Sequence, residues 1–473
     1  MPAYPAMEDL VSARVLTIAV LAVLLGSAFA GARTVSFASA KTFSSGVANP
    51  GCVAVGDFNH DGHLDLAVTD HINSVAVFLG KGDGTFSTPT LYTLDFYNQG
   101  CAAVADFNGD HKLDLVVVGR DKSGNGLALL TGKGDGTFNA PVYYTSTLAG
   151  EMFPALGDFN KDKNLDIFIG GTGNSEVMLG NGKGGFTEGQ LQLVGGFSVT
   201  VGDFNGDGNL DVACTNPFAG QNTFAVLLGN GDGTFQAPQV FSGIHVPTGI
   251  TSADFNHDKK LDLAVAVSND AAVLILLGNG DGTFNSGTEY VVGNAPGTVI
   301  SADFNKDGEI DLATSDFDGG GVSVLLGKGD GSFQTPKVFA TGNNPTYLAA
   351  GDFNHDGSTD LAVTNDTDST VSILLNAAGT RVRLSSTPNP SKVGQLVTFT
   401  ATVAGTVTPT VMPTGTVVFK EGSTTIGSAS LSQGKATFTT LTLNQGTHKI
   451  TAVYSGNAKF NPNVSGVLVQ TVN

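Results

Sequence analysis

The chain has 473 residues, a formal net charge of −19 and only 14% charged residues. Such an acidic chain repels phosphate backbones and anionic lipid, which argues against nucleic-acid and membrane-surface partners. Its 64 glycines and 41% hydrophobic residues indicate a core connected by many tight turns, and its three cysteines are too few for a disulfide framework.

Residues 1–30 have the pattern of a secretory signal peptide. Arg14 precedes an apolar run over residues 15–25, and Ala28 and Ala30 supply the small residues of a cleavage site. The run is short for a membrane span, which needs about 20 apolar residues, although an uncleaved N-terminal anchor is the alternative. No later stretch reaches that length, so we expect no membrane span after cleavage and a secreted or cell-surface bacterial protein.

One sequence unit recurs seven times along the chain. Its first copy is the block GDFNHDGHLDLAV at residues 56–68, and the copies follow one another at intervals of 45 to 52 residues. A regular repeat of this length is typical of propellers and solenoids. The leading aspartates of the copies are Asp57, Asp106, Asp158, Asp203, Asp254, Asp303 and Asp352.

Each unit has the short apolar runs of strands and none of the period of helices. Strands are predicted before and after the acidic block, at residues 75–79, and after the Gly-Asp-Gly turn of residues 80–86. Four antiparallel strands per unit make one blade of a β-propeller, and neighbouring blades bury each other's faces. We expect Phe58, Phe86 and their equivalents to pack between blades.

The seventh unit lacks a fourth strand, because residues 376–379 replace the Gly-Asp-Gly turn. Residues 37–44 near the other end align with residues 235–242, which form a fourth strand in their own unit. The N-terminal strand therefore completes blade seven and covers its open edge. The predicted fold is all-β, a seven-bladed β-propeller over residues 31–378 followed by an Ig-like β-sandwich over residues 379–473.

The acidic block places oxygen-bearing side chains at positions 1, 3, 5 and 9 of a tight loop, and the backbone carbonyl of position 7 adds another donor. Such hard oxygen ligands suit calcium, and magnesium is the lesser choice because it prefers fewer protein ligands and stricter geometry. Carboxylates about 4 Å apart repel by about 4 kcal/mol at an effective dielectric of about 20, so a cation should stabilise each loop. The alternative is that these are solvated turns, since Asp, Asn and Gly favour turns.

We therefore expect up to seven Ca²⁺ ions, one in each blade. In loop order the predicted ligands are Asp57, Asn59, Asp61, His63 and Asp65; Asp106, Asn108, Asp110, Lys112 and Asp114; Asp158, Asn160, Asp162, Asn164 and Asp166; Asp203, Asn205, Asp207, Asn209 and Asp211; Asp254, Asn256, Asp258, Lys260 and Asp262; Asp303, Asn305, Asp307, Glu309 and Asp311; and Asp352, Asn354, Asp356, Ser358 and Asp360.

Position 6 is glycine in four loops, whereas His111, Lys163 and Lys259 occupy it in the other three. A positive φ is predicted there, which costs a non-glycine residue on the order of 1 kcal/mol. The two lysines also bring positive charge close to the ion. We predict that these three loops bind calcium more weakly than the four with glycine.

The repeated block resembles the FG-GAP/VCBS repeat of the integrin α-chain propeller and of many exported bacterial proteins. The resemblance covers residues 35–376 and implies a seven-bladed propeller with calcium in the loops between the first and second strands of each blade. In the integrin relatives, ligands bind the face opposite those loops.

From Thr380 onward the acidic loops cease and Thr, Val and Ser dominate. Alternating runs at residues 396–403 and 415–419 predict half-buried strands of a sandwich. The segments PNPSKVGQLVTFTATV and GTHKITAVYSGNAKF resemble bacterial Ig-like domains, which implies a spacer or adhesive module.

On the face opposite the acidic loops we expect variable loops at residues 95–100, 119–126, 148–153, 216–222 and 315–321, where exposed aromatic rings form a binding surface or pack as loop tips. His71 and His245 lie in loops of the same face, without a nucleophile beside them. Cys52 and Cys101 occupy equivalent positions in neighbouring blades, where we expect buried free thiols, a disulfide being the alternative.

The sequence thus favours a secreted calcium-binding propeller that acts as a binding or adhesion module, and we expect no enzymatic activity. Its partner would be an extracellular protein or glycan on the face opposite the calcium loops, and we expect a monomer. The alternative is a carbohydrate-active propeller, a lectin or polysaccharide lyase, although the absence of tryptophan argues against sugar platforms. A purely structural surface spacer is the third possibility.

Overall fold

Short runs of apolar residues, separated by Gly-, Asp- and Asn-rich turns, fold into seven four-stranded antiparallel sheets. In the computed structural model the described residues are 35–122, 125–146, 148, 153–217, 222–376, 380–405, 412–457, 459–460 and 462–473. The predicted signal peptide, residues 1–30, lies outside these ranges. Within them, no helix is long and apolar enough to span a membrane.

The first four-stranded sheet in the chain, blade one, follows a single N-terminal strand. Blades two to six have the same strand order as blade one. Their strands are β1 (Lys41–Ser44); β2 (Pro50–Gly56), β3 (Asp65–Asp70), β4 (Ser74–Phe78) and β5 (Thr90–Thr93) of blade one; β6 (Asn98–Ala105), β7 (Asp114–Arg120), β8 (Asn125–Leu130) and β9 (Val142–Ser146) of blade two; β10 (Phe153–Gly157), β11 (Asp166–Gly170), β12 (Ser175–Gly180) and β13 (Phe186–Gln192) of blade three; β14 (Val199–Gly202), β15 (Asp211–Asn216), β16 (Thr223–Leu227) and β17 (Gln239–Ser242) of blade four; β18 (Pro247–Ala253), β19 (Asp262–Val267), β20 (Ala272–Leu276) and β21 (Thr288–Val291) of blade five; and β22 (Pro296–Ala302), β23 (Asp311–Asp316), β24 (Gly321–Leu325) and β25 (Lys337–Ala340) of blade six. A 3₁₀ turn, Ser268–Asp270, follows β19.

Blade seven is built from both ends of the propeller sequence, as predicted. It contains β26 (Pro345–Gly351), β27 (Asp360–Asn365) and β28 (Thr370–Leu374), and β1 is its fourth strand, antiparallel to β28. The first strands of successive blades contact one another in a ring that β2 and β26 close.

Asn376 makes the hydrogen bond to the preceding blade that the Gly-Asp-Gly turn makes in the other blades. In the other blades the second glycine of that turn donates its N–H to the preceding blade, as Gly84 does to the Phe353 carbonyl at 2.9 Å. In blade seven the Asn376 Nδ2 donates instead to the Phe304 carbonyl at 2.7 Å. A side-chain amide therefore replaces a backbone amide where the ring closes.

The predicted phenylalanines pack between blades. Phe58 of blade one meets Phe138 of blade two edge to face, with ring centroids 5.4 Å apart, and both side chains are buried. The equivalent pairs continue round the ring, and Phe353 of blade seven meets Phe86 of blade one at 5.9 Å. Edge-to-face rings gain energy beyond their buried area, which adds to the hydrophobic contact of each pair of blades.

The expectation that Cys52 and Cys101 are buried free thiols was wrong. Cys52 on β2 and Cys101 on β6 form a disulfide, with their Cα atoms 5.2 Å apart. The ring brings equivalent positions of neighbouring first strands side by side, so the two thiols meet. Cys214 on β15 is a free buried thiol, and burial raises its pKa to about 12.

The C-terminal part is a sandwich of a three-stranded sheet and a larger sheet. Its inward side chains alternate along the strands, as in β30, where Val397, Phe399, Ala401 and Val403 are buried. The strands are β29 (Thr380–Thr387), β30 (Val397–Gly405), β31 (Thr416–Glu421), β32 (Thr424–Ser430), β33 (Lys435–Thr440), β34 (Gly446–Tyr454), β35 (Asn463–Val464) and β36 (Leu468–Val472).

Candidate metal loops and axial pocket

The acidic loop joins the first and second strands of every blade and has the same geometry each time. In loop one, Asp57 accepts the N–H of Asp61 at 3.2 Å on Oδ1 and that of Gly62 at 2.9 Å on Oδ2. Asp61 accepts the N–H of His63 at 2.8 Å. The position 6 to position 1 bond recurs in all seven loops at 2.8–2.9 Å, so the backbone holds the position 1 and 5 carboxylates inside each turn.

Position 6 has a positive φ in every loop, which confirms the sequence prediction. His111, Lys163 and Lys259 have φ of 63°, 71° and 68°, close to the 83° of Gly62. Position 4 has the same backbone conformation, as shown by His60 at 57°, which sequence reasoning missed. The sequence contains a signal for this conformation, because only Gly, His and Lys occupy position 4 in the seven copies.

The position 9 aspartates are fully buried and tie each loop to the rest of its blade. Asp65 accepts the N–H of Phe58 at 2.8 Å on one oxygen and that of Gly80 at 2.7 Å on the other. Burial, opposed by these two bonds, raises the pKa of Asp65 to about 6. In loop seven, burial raises the pKa of Asp360 to about 8, opposed by the N–H groups of Asn376 and Phe353. The two N–H donors fix the carboxylate where it can face the loop, while its burial makes an added positive charge favourable.

The carboxylates of most loops have little compensation from basic side chains. Among the described residues, ion pairs reach position 1 or 5 only in loop two, from His111 to Asp106 at 4.0 Å and from Lys112 to Asp110 at 3.7 Å. No group of three or more His, Cys, Asp or Glu side chains in the described ranges is arranged around a common metal position. The loops instead combine Asp and Asn side chains with a backbone carbonyl, an all-oxygen set whose chemistry fits calcium.

Two pairs of neighbouring loops also touch each other, through position 4 of one loop and position 7 of the other. His355 Nε2 lies 2.6 Å from His63 Nδ1 where blade seven meets blade one. His257 Nε2 lies 2.6 Å from Glu309 Oε2, and hydrogen bonding to this carboxylate raises the pKa of His257. All seven loops join the first and second strands of their blades, so together they form an acidic rim on one face of the propeller, within which these two pairs of loops are in contact.

The opposite face has a cavity of about 280 Å³ at the mouth of the central axis. It lies where the first strands of the blades begin, and its lining contains no Asp, Glu, Lys or Arg. Four aromatic rings from separate blades line it: Phe153, Phe197, Phe317 and Tyr347. We call this cavity the axial pocket.

The polar side chains of the axial pocket are largely engaged in holding the blades together. The Thr248 hydroxyl donates to the Pro296 carbonyl at 2.6 Å, and the Thr298 hydroxyl donates to the Thr346 carbonyl at 3.1 Å. Phe153 and Phe197 pack with ring centroids 4.8 Å apart. The surface left for a ligand is therefore mainly apolar and aromatic, and its polar groups include the Tyr347 phenol, the Ser268 hydroxyl and the His71 imidazole.

The aromatic loops predicted on this face divide into two kinds. Phe96 is a packed loop tip, buried against Tyr143, whereas Phe153 and Phe317 line the axial pocket. Tyr97 is 55% exposed beyond it. Phe218 lies outside the described residues. His245, the other histidine of this face, pairs with Asp270 at 3.0 Å, and that carboxylate raises its pKa.

The fold and the repeated loops define a class, the β-propellers made of FG-GAP-like repeats. The FG-GAP-like repeat model matches residues 57–117, 106–169, 158–214, 203–265, 254–314 and 303–363, more than half of the chain. The chain therefore belongs to the FG-GAP-like repeat family. A bacterial Ig-like domain (group 3) model matches residues 384–473.

The chain is also similar to solved structures at low sequence identity. Two crystal structures of BBS1N in complex with ARL6DN match this chain, one from a crystal soaked with lead and one from a crystal soaked with mercury. Their TM-scores are 0.50 and 0.51 at 12% sequence identity, and each match covers 72% of this chain and 96% of the other. An Agrocybe aegerita lectin that recognises non-reducing terminal N-acetylglucosamine matches with a TM-score of 0.43 at 20% identity, covering 66% of this chain and 85% of its own. The search of curated proteins gave no match.

Proposed function

We propose that this protein is a secreted or cell-surface calcium-binding propeller that binds an extracellular protein partner at the axial pocket. The pocket carries the proposal, because four aromatic rings from separate blades converge there on the face opposite the acidic rim. Concave, largely apolar sites with a few polar groups are the usual form of a ligand pocket.

The lining favours an apolar side chain of a protein over a sugar. A buried sugar hydroxyl needs a hydrogen-bond partner, and leaving one unpaired costs about 1–3 kcal/mol. The hydroxyls of Thr248 and Thr298 already donate to backbone carbonyls. An aromatic or branched aliphatic side chain would need no such partner, and it would gain from burial against the rings.

Calcium would stabilise the rim and keep the blades in register. The position 1, 3 and 5 side chains and the position 7 carbonyl of each loop would hold the ion, with the position 9 aspartate behind them. In this arrangement the metal stabilises the fold, and the axial pocket contacts the partner. The Ig-like domain would act as a spacer that carries the propeller away from the surface.

The test is a binding screen of the calcium-loaded chain against immobilised extracellular matrix proteins and glycans, with a chelated control. We expect binding to a protein, weakened about 30-fold by Phe317→Ala, because a buried aromatic anchor contributes about 2 kcal/mol. Tyr97→Ala is the matched control, since this exposed ring lies outside the pocket lining. Binding to a glycan class, or equal loss in both variants, would contradict the proposal.

A further inference from the structure

The seventh acidic loop differs from the other six in its burial. Asp356 at position 5 is only 4% exposed, and Asn354 and Ser358 are 1% and 5% exposed. The position 5 aspartate is exposed in each of the other six loops, all of which lie within the described residues. Something specific to blade seven therefore covers this loop.

The Ig-like domain contacts this loop. Lys459, in the turn between β34 and β35, donates its Nζ to the backbone carbonyl of Asn354 at 2.8 Å. The turn is held by Asn457, whose side-chain oxygen accepts the N–H groups of Lys459 at 2.8 Å and Phe460 at 3.0 Å. Phe460 is itself buried in the core of the sandwich, so the domain presents Lys459 from a fixed position.

The covered loop contains two buried polar atoms, Asp356 Oδ2 and Asn354 Nδ2, that make no hydrogen bond of normal geometry. The side chains of Asn354 and Ser358 lie beside the Asp356 carboxyl, but neither completes a hydrogen bond to its Oδ2. In loops one, three, four and six the equivalent amide donates to the equivalent carboxylate, as Asn59 does to Asp61 at 3.0 Å. Among the described residues, no ion pair joins Asp356 to Lys459 or to any other base, and the Lys459 ammonium donates to the Asn354 carbonyl.

An unpaired carboxylate oxygen inside a protein is strongly unfavourable, and a bound cation is one of the few ways to satisfy it. We propose that the seventh loop holds its divalent cation in a closed site between the propeller and the Ig-like domain. The ion then exchanges with solvent more slowly than the ions of the six open loops, because the contact from Lys459 and the burial of Asp356 limit its access to water. This inference rests on the proposed calcium binding and adds to it a closed, slowly exchanging site in one loop.

The experiment follows calcium release from the full chain after rapid mixing with a fluorescent chelator. We expect six ions to leave quickly and one to leave at least about ten times more slowly, because the Ig-like domain must first move away. Lys459→Ala should accelerate the slow ion without changing the number bound. Asp356→Asn should abolish the slow phase, whereas the matched variant Asp61→Asn, in an open loop, should remove a fast ion and keep the slow one.

A second readout is amide hydrogen exchange over residues 354–358, which calcium should protect in the wild type and much less in Lys459→Ala. Seven ions released at one rate, or a slow phase unaffected by Lys459→Ala, would overturn the closed site and leave calcium binding intact. A wild-type chain that releases no calcium would overturn the metal proposal itself, and the total amplitude reports that outcome separately.

Discussion

The disulfide between Cys52 and Cys101 should contribute strongly to the stability of the propeller. It closes a loop of 49 residues and links the first strands of blades one and two. Restricting an unfolded chain by a loop of that length is worth about 4 kcal/mol at 25 °C in the chain-entropy model. We therefore expect the double variant Cys52→Ala/Cys101→Ala to lose about 4 kcal/mol in the free energy of unfolding, measured by urea denaturation.

The control is Cys214→Ala, which removes a buried thiol without breaking a link. Its loss should be smaller, and the difference between the two variants isolates the cross-link. Alkylation of the denatured chain, followed by mass spectrometry, should modify one cysteine before reduction and three after it. Three modified cysteines without a reductant would refute the disulfide.

Three further predictions concern single side chains. Lys163→Gly removes a positive charge beside the third loop and should tighten calcium binding there by about 1 kcal/mol, or about fivefold, in a competition titration; an unchanged affinity would show that position 6 does not matter. Asp316 is fully buried and its pKa is raised to about 6, so the folded chain holds its proton more tightly and loses stability as pH rises from about 4 to 6. Over that pH range, the free energy of unfolding of Asp316→Asn should rise relative to that of the wild type by up to about 3 kcal/mol. A difference between the two unfolding free energies that does not change with pH would contradict this. Asn376→Ala leaves the Phe304 carbonyl without its donor and should lower the free energy of unfolding by about 1–3 kcal/mol, whereas an unaltered value would mean that blade closure does not depend on this amide.

The repeats made the propeller predictable, because each unit contains the sequence patterns of its own strands and acidic loop. Even the closure of blade seven could be predicted, since residues 37–44 repeat the pattern of a fourth strand. The positive φ of Lys163 followed from the glycines that occupy its position in other copies.

Features that depend on contacts across the ring could not be predicted in the same way. Cys52 and Cys101 each stand five residues before a leading aspartate, and only the packing of β2 beside β6 shows that they meet. The axial pocket gathers Phe153 and Phe317 from blades three and six, so no local pattern identifies it. The burial of Asp356 depends on where the Ig-like domain places Lys459, and this position cannot be predicted from the sequence of that domain.

The most direct test of the account measures calcium bound by the full chain, together with its thermal unfolding. After equilibration in calcium and removal of free ions, elemental analysis should find up to seven ions per chain, one for each acidic loop. Chelation should then lower the melting temperature by roughly 10 °C or more, because ions that bind only the folded state stabilise it. A chain that carries no more calcium than a buffer blank, and melts at the same temperature with and without chelator, would contradict the account.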